Sequence, residues 1–298
     1  MRLLTYHGDG ADHAGAARAD GGFADAGALL GRSPMSMLEL IDGGPERLTA
    51  LREALAKAHE LTPLATAKLR PPIPRPRRNV YCVGWNYSEH FEEGRQVRAD
   101  PSVKEIPAHP TFFSKNPGTI VGPDDDVLHP SPLSEELDWE VELALVIGRA
   151  GKDISEERAL EHVLGYTVAN DVSVRDHQRI HGGQWFKGKN FDTHLPMGPW
   201  IVTADEIPDP QHLRIQSKIN GISKQDSNTN HMVFPIRRII RELSAGLTLE
   251  PGDIVITGTP EGVGFARKPP EFLQVGDVME LEIERIGVLT NRVTASRR

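Results

Sequence analysis

The sequence predicts a strand-rich α+β protein with few helices, on three observations. Helical periodicity is confined to short stretches near Leu48–Ala58, Ala159–Leu164 and Ile236–Leu243. Short apolar runs and period-two alternation mark strands between them. Four prolines within Pro71–Pro76 exclude both a helix and a central strand there. That segment, 71–78, is read as an extended linker between a small N-terminal α/β subdomain, 1–70, and a main domain, 79–298.

In chain order, Met1–Tyr6 reads as a strand, followed by about thirty residues rich in Ala, Gly and Asp. Pro45 suits a helical first turn, with Leu48, Leu51, Leu55 and Ala58 at helical spacing. After the linker, Asn79–Gly84 is a short apolar strand. His90 and Glu93 lie three apart and share a face if their segment is helical. The polar stretch from Gly94 to His109 is a candidate lid, and Pro110–Lys115 returns to strand character. Asp153 and Ser155 offer caps for a helix through Ala159, Leu160, Val163 and Leu164, closed by Gly165. Tyr166–Ala169 is a strand ending at Asn170-Asp171. Residues 172–198 are polar and Gly-rich, and Pro199–Thr203 resumes as strand. A helix is expected from Pro235, with Ile236, Ile239, Ile240 and Leu243 inward. Ile254–Thr257 and Val278–Glu284 are further strands. In the last, Glu280, Glu282 and Glu284 alternate with apolar residues and read as a solvated face.

The 298 residues suffice for a sizeable core, and 38% hydrophobic with 26% charged residues is an ordinary globular mixture. A net charge of −8 argues against a nucleic-acid partner. It leaves room for an anionic substrate, because a bound cation reverses the local field. The single cysteine, Cys82, has no internal disulfide partner and reads as a small buried residue. No apolar stretch is long enough for a signal peptide core or a membrane span, so a cytoplasmic location with no membrane partner is expected.

Asp138-Trp139-Glu140-Val141-Glu142 is the stretch with the most chemistry. In a strand its three acids share one face and repel each other, yet the run continues into the apolar Ala144–Ile147. Two readings stay open on these residues alone. One is a solvated acidic strand face; the other is a site for a hard divalent cation.

Several ordered motifs resemble the fumarylacetoacetate hydrolase superfamily over nearly all of residues 79–298. They are Gly84–Glu93, Leu137–Ile147, Gly165–Gln178, Gly188–Gly198, Asn220–Phe234 and Leu249–Arg267. The resemblance implies a mixed β-sandwich roll, usually a homodimer, that holds Mg2+ or a similar ion, with Mn2+ or Ca2+ also suitable. It implies that Glu140, Glu142 and Asp171 are the metal ligands, an all-oxygen set. Asp138 matches no family ligand and reads as an outlying supporting or solvent-exposed residue. Lys189 matches the active-site lysine; Lys187, which would share its face in an extended segment, reads as a surface charge. His90 and Glu93 match the pair that activates water or shuttles a proton. Arg175, Gln178 and Thr259 match substrate-contacting positions, Arg being suited to a carboxylate. His177 and His181 have the spacing of a helical zinc pair but no third ligand.

The resulting expectation is a Mg2+-dependent hydrolase cleaving a C–C bond in an acylpyruvate-type acid, such as a fumarylpyruvate- or fumarylacetoacetate-like substrate of aromatic catabolism. An alternative on the same site is an isomerase or decarboxylase of hydroxydiene-dioate or oxo-dicarboxylate substrates. A further alternative is a non-catalytic protein that binds a metal and an oxo-acid.

Overall fold

Leu143–Ile147, the longest apolar run, lies in the strand Val141–Ile147 at the centre of the molecule, with every residue of that strand buried. The computed structural model describes residues 1–96 and 105–296. Leu143, Leu145 and Ile147 face a core shared with Met279, Leu281, Ile283 and the helix Ile236–Ser244. Ala144 and Val146 face a second core with Leu3, Leu40, Leu51 and Leu55. A strand covered on both faces calls for a continuous apolar run, which Leu143–Ile147 supplies. Each buried Leu, Ile or Val contributes about 1.5–3 kcal/mol over its exposed state.

The fold is strand-rich α+β with mixed sheets. A 12-stranded sheet contains Val141–Ile147 between Val163–Asn170 and Ile254–Ile256, both antiparallel to it. Ile254–Ile256 runs parallel to Val80–Gly84, which pairs with Thr111–Lys115. A 5-stranded sheet, from Asp126–His129, Arg214–Ile219, Ile222–Asn228, Val278–Ile283 and Gly287–Ala295, packs over one face. The leading residues join the large sheet through Arg2–Gly8, whose first residues pair with Leu195–Thr203.

The helix Gly44–Lys57 carries Pro at its start and buries Leu51 and Leu55. The helix Ile236–Ser244 buries Ile236, Ile239, Ile240 and Leu243, as its spacing predicts. Two elements fall where the sequence reading assigned none. Ala11–Ala17 and Gly22–Asp25 are strands, although small and acidic residues have poor strand propensity. Pairing decides them: seven residues of Arg2–Gly8 align with seven of Ala11–Ala17.

The expected helix through Leu164 is a single 3-10 turn, Ala159–His162, followed directly by the strand Val163–Asn170. Its continuous apolar run is buried on both faces, which suits a strand better than a one-sided helix. Gly165 is no helix cap. A side chain there would collide with the Val202 carbonyl of the adjacent strand. Among the described residues, no helix is long and apolar enough to cross a membrane.

Candidate active site

The register of three strands gathers the acids at one edge of the large sheet. Val141 pairs with Asn170, so Glu140 meets Asp171 just beyond the end of the partner strand. The Asp171 N–H donates to the Glu140 carbonyl at 2.9 Å. The regular strand is interrupted between Asp138 and Val141, and the Glu140 N–H is taken by the Asn170 side chain at 3.0 Å. Ile256 pairs with Ala144, which brings the following Gly258 N–H to Glu142 Oε2 at 2.7 Å. Gly258 has φ +95°, and an added side chain would strike Asn86. This is a turn that requires glycine.

Glu140, Glu142 and Asp171 are all buried, and one oxygen from each lies within 4.8 Å of the others. Lys189 Nζ donates to Glu140 Oε2 at 2.7 Å and to Asp171 Oδ2 at 2.6 Å. Arg175 Nη2 stands 2.7 Å from Glu140 Oε1. Burial alone would raise the Glu140 pKa, but Lys189 and Arg175 outweigh it and hold the carboxyl well below its ordinary range. Lys189 shows the same competition from the other side: burial opposes its charge, yet Asp171 and Glu140 win and raise its pKa.

Glu142 is different. Burial first, then Asp171 and Glu140, push its pKa well up. The carboxyl group accepts the Gly258 N–H but pairs with none of Lys115, Lys189 and Arg175. A buried anion of this kind is costly unless a cation reaches it. The donor set, three carboxylates without sulfur or imidazole, fits a hard divalent cation at this point.

His90 and Glu93 lie on the short helix Ser88–Glu93, which follows the Val80–Gly84 strand. His90 Nδ1 and Glu93 Oε1 are 2.9 Å apart, and Glu93 Oε2 accepts the Gly262 N–H at 2.8 Å. With Nδ1 engaged by the carboxylate, Nε2 is the basic nitrogen of the ring. A cavity of about 480 Å³ is lined by His90, the three acids and Lys189, and also by Arg175, Gln178 and Thr259.

Of the nine residues singled out by sequence, eight therefore line one cavity, and Glu93 stands behind His90. Arg175 presents Nε to Asp138 at 2.8 Å, Nη1 to Gln178 at 3.2 Å and Nη2 to Glu140. The Thr259 hydroxyl donates to the Val141 carbonyl at 3.0 Å and accepts from Gln225 at 2.8 Å. Lys187 is exposed over the Phe191 ring. The segment Phe186–Lys189 is helical, so the two lysines do not share a face. His177 and His181 have ring centroids 5.8 Å apart, and no carboxylate or cysteine joins them in a metal-holding group among the described residues. Half of the candidate lid, residues 97–104, lies outside the described residues.

Two contributors, Lys115 and Trp185, escaped the sequence reading, and Asp138 had been left between a supporting and a solvent-exposed role. Lys115 is fully buried, with Nζ 2.8 Å from Asp171 Oδ1, and donates to the Val172 carbonyl at 3.0 Å. Burial holds its pKa below the usual lysine value. Asp138 is fully buried and paired with Arg175 rather than solvent-exposed. Trp185 forms an apolar wall between Trp85 and Phe113, at centroid distances of 4.8 and 5.3 Å. A lysine closing the strand Thr111–Lys115 was the visible signal for Lys115, but its partner is 56 residues further along the chain.

Residues 79–294 match the sequence family described as fumarylacetoacetate (FAA) hydrolase C-terminal. The chain belongs to the fumarylacetoacetate hydrolase family. It is 45% identical over 273 residues to "Oxaloacetate tautomerase Fahd2a, mitochondrial" of Rattus norvegicus, covering 92% of this chain and 84% of that one. It is 39% identical over 269 residues to "Oxaloacetate tautomerase YisK" of Bacillus subtilis, covering 87% of each. Maleylpyruvate hydrolase from Sphingobium sp. SYK-6, solved with manganese(II) and pyruvate, superimposes with a TM-score of 0.79 at 30% identity, over all of both chains.

The chain is thus an enzyme of this family, with a site that fits a divalent metal. The expected C–C bond hydrolase is corrected by the tautomerase relatives, which are more similar in sequence than the hydrolase structure. The physical reason lies in the residue set. Acids, lysine and a His–Glu pair serve enolate chemistry whether or not water attacks, so the sequence motifs do not separate hydrolysis from isomerisation.

Proposed function

We propose that this chain is a Mg2+-dependent tautomerase that interconverts the keto and enol forms of a small 2-oxo dicarboxylate of the oxaloacetate type. The observation that carries this reading is the similarity to two oxaloacetate tautomerases across most of the chain. The geometry at His90 and Lys189 supports it.

Glu140, Glu142 and Asp171 would hold the ion, which when bound supplies Lewis-acid stabilisation of charge developing on the substrate's oxo oxygen. Mn2+ and Ca2+ suit the same oxygens. His90 takes a proton from the carbon next to the oxo group and returns it to the oxo oxygen. Glu93 fixes the imidazole tautomer and stabilises the imidazolium that forms between the two transfers. Lys189, its charge favoured by Asp171 and Glu140 over the cost of burial, stays protonated and donates toward the developing oxyanion. Trp85, Trp185 and Phe113 wall the cavity with apolar surface, which limits water beside the reacting carbon. Arg175, Gln178 and Thr259 set the polar side of the substrate pocket. The working unit is a homodimer, as the family resemblance implies; light scattering of the purified protein checks it.

The test is spectrophotometric. Freshly dissolved enol-oxaloacetate is followed as its enol absorbance decays, with and without protein, Mg2+ and chelator. The expected result is Mg2+-dependent acceleration with no change of substrate mass. Absence of acceleration, or release of CO2 or two fragments at the same rate, would overturn the reading.

A further inference from the structure

Asp138 has no part in the chemistry above, yet four donors converge on its buried carboxylate. Oδ2 accepts from Arg175 Nε at 2.8 Å and from the Phe265 N–H at 3.0 Å. Oδ1 accepts from the Gly264 N–H at 2.7 Å and from the Trp139 N–H at 2.9 Å. The Phe265 ring lies against the Arg175 guanidinium at 4.3 Å from its centroid. Asp138 therefore fixes Arg175 twice, by a direct ion pair and by anchoring the residue whose ring covers the guanidinium face. At its other edge the same guanidinium holds Glu140 Oε1, while Lys189 holds Oε2.

We propose that Asp138 is a positioning residue for Glu140. By sharing the Arg175 guanidinium, it keeps Glu140 from being captured by that cation and leaves the carboxylate available to a divalent ion. The inference rests on the metal-dependent reading of the site. The physical basis is competition. Arg binds a carboxylate best through two parallel N–H donors, and in a buried site a full bidentate pair would be strong. Asp138 occupies Nε, so Glu140 is offered Nη2 alone. Remove the Asp138 charge, and Glu140 is the one carboxylate left on Arg175 among the described residues.

The test is calorimetric titration with Mn2+ of the full chain, as wild type, Asp138→Asn, and Asp138→Asn combined with Arg175→Gln. Circular dichroism confirms folding of each. Asp138→Asn is expected to weaken Mn2+ binding ~10- to 100-fold, the usual range for residues that orient a metal ligand. The double variant is expected to return to the wild-type affinity, because the competing cation is gone; a merely structural role would not be rescued in this way. It also removes both charges of a buried pair, so neither is left uncompensated. Wild-type affinity in Asp138→Asn, or a double variant at least ~10-fold weaker than wild type, would overturn the proposal. If Asp138→Asn does not fold, the double variant alone decides by the same criterion. Wild-type protein that binds no Mn2+ would overturn the functional reading itself, an outcome distinct from losses seen only in the variants.

Discussion

Two strand regions in this chain carry acids at every second position, and they have opposite fates. Asp138, Glu140 and Glu142 are buried against Arg175, Lys189 and one another. Glu280, Glu282 and Glu284 alternate with buried Met279, Leu281 and Ile283, and their side chains run along the outside of the 5-stranded sheet. Glu280 lies opposite Lys218 and Thr290, Glu282 opposite Gln216 and Val288, which is an ordinary solvated ladder. Sequence alternation is the same in both. The difference is what the rest of the fold places against the acids: water in one case, three cations and a Gly-rich turn in the other.

The largest expected effect comes from removing the buried acids. Glu140→Ala combined with Glu142→Ala is expected to abolish Mg2+ dependence and cost about a thousandfold or more in rate, the several kcal/mol a bound cation supplies. Steady-state assays with varied Mg2+ check it. His90→Ala is expected to lower kcat by about 10²–10⁴, as for a positioned proton carrier, with a smaller change in KM. Lys189→Met is expected to cost about 10²–10³ in kcat. It also leaves Glu140 and Asp171 short of a cation, so its thermal midpoint falls as well. Glu280→Ala combined with Glu282→Ala sharpens the contrast from the other side. Its stability by urea unfolding is expected to stay within about 0.5 kcal/mol per site, with unchanged activity.

His194 extends the comparison to a buried group with no ionic partner among the described residues. Burial pushes its pKa down to about 3 from the ordinary 6.5, and its Nε2–H donates to the Leu128 carbonyl at 2.9 Å. The folded value lies below the unfolded one, so as pH falls the unfolded chain takes up the proton first. The stability His194 provides is complete above pH 6.5 and is lost progressively toward pH 3. Denaturant midpoints across that window should fall less steeply in His194→Gln.

The buried acids were legible because the His90/Glu93 pair precedes them and Asp171 and Lys189 follow them, in the family's order. Glu280–Glu284 was legible for a simpler reason: alternation with apolar residues is what a one-sided strand looks like. Asp138 was only half legible, since a supporting and a solvent-exposed role both stayed open. Its partners Arg175, Gly264 and Phe265 come from segments that only the folded sheet brings together. The same holds for Lys115, whose ammonium meets Asp171 across the sheet. The helix expected through Leu164 failed where local spacing competed with burial on both faces, and burial won. Reaction type was beyond the motifs, since the same side chains support both isomerisation and cleavage.

Hydrogen–deuterium exchange at the carbon beside the oxo group of oxaloacetate, followed by proton NMR in D2O, tests the central claim most directly. Mg2+-loaded wild type is expected to speed exchange while the carbon skeleton stays intact, and Glu140→Ala combined with Glu142→Ala is expected to lose that acceleration. Exchange no faster than in buffer, cleavage or CO2 release keeping pace with it, or full activity in the double variant would contradict the account.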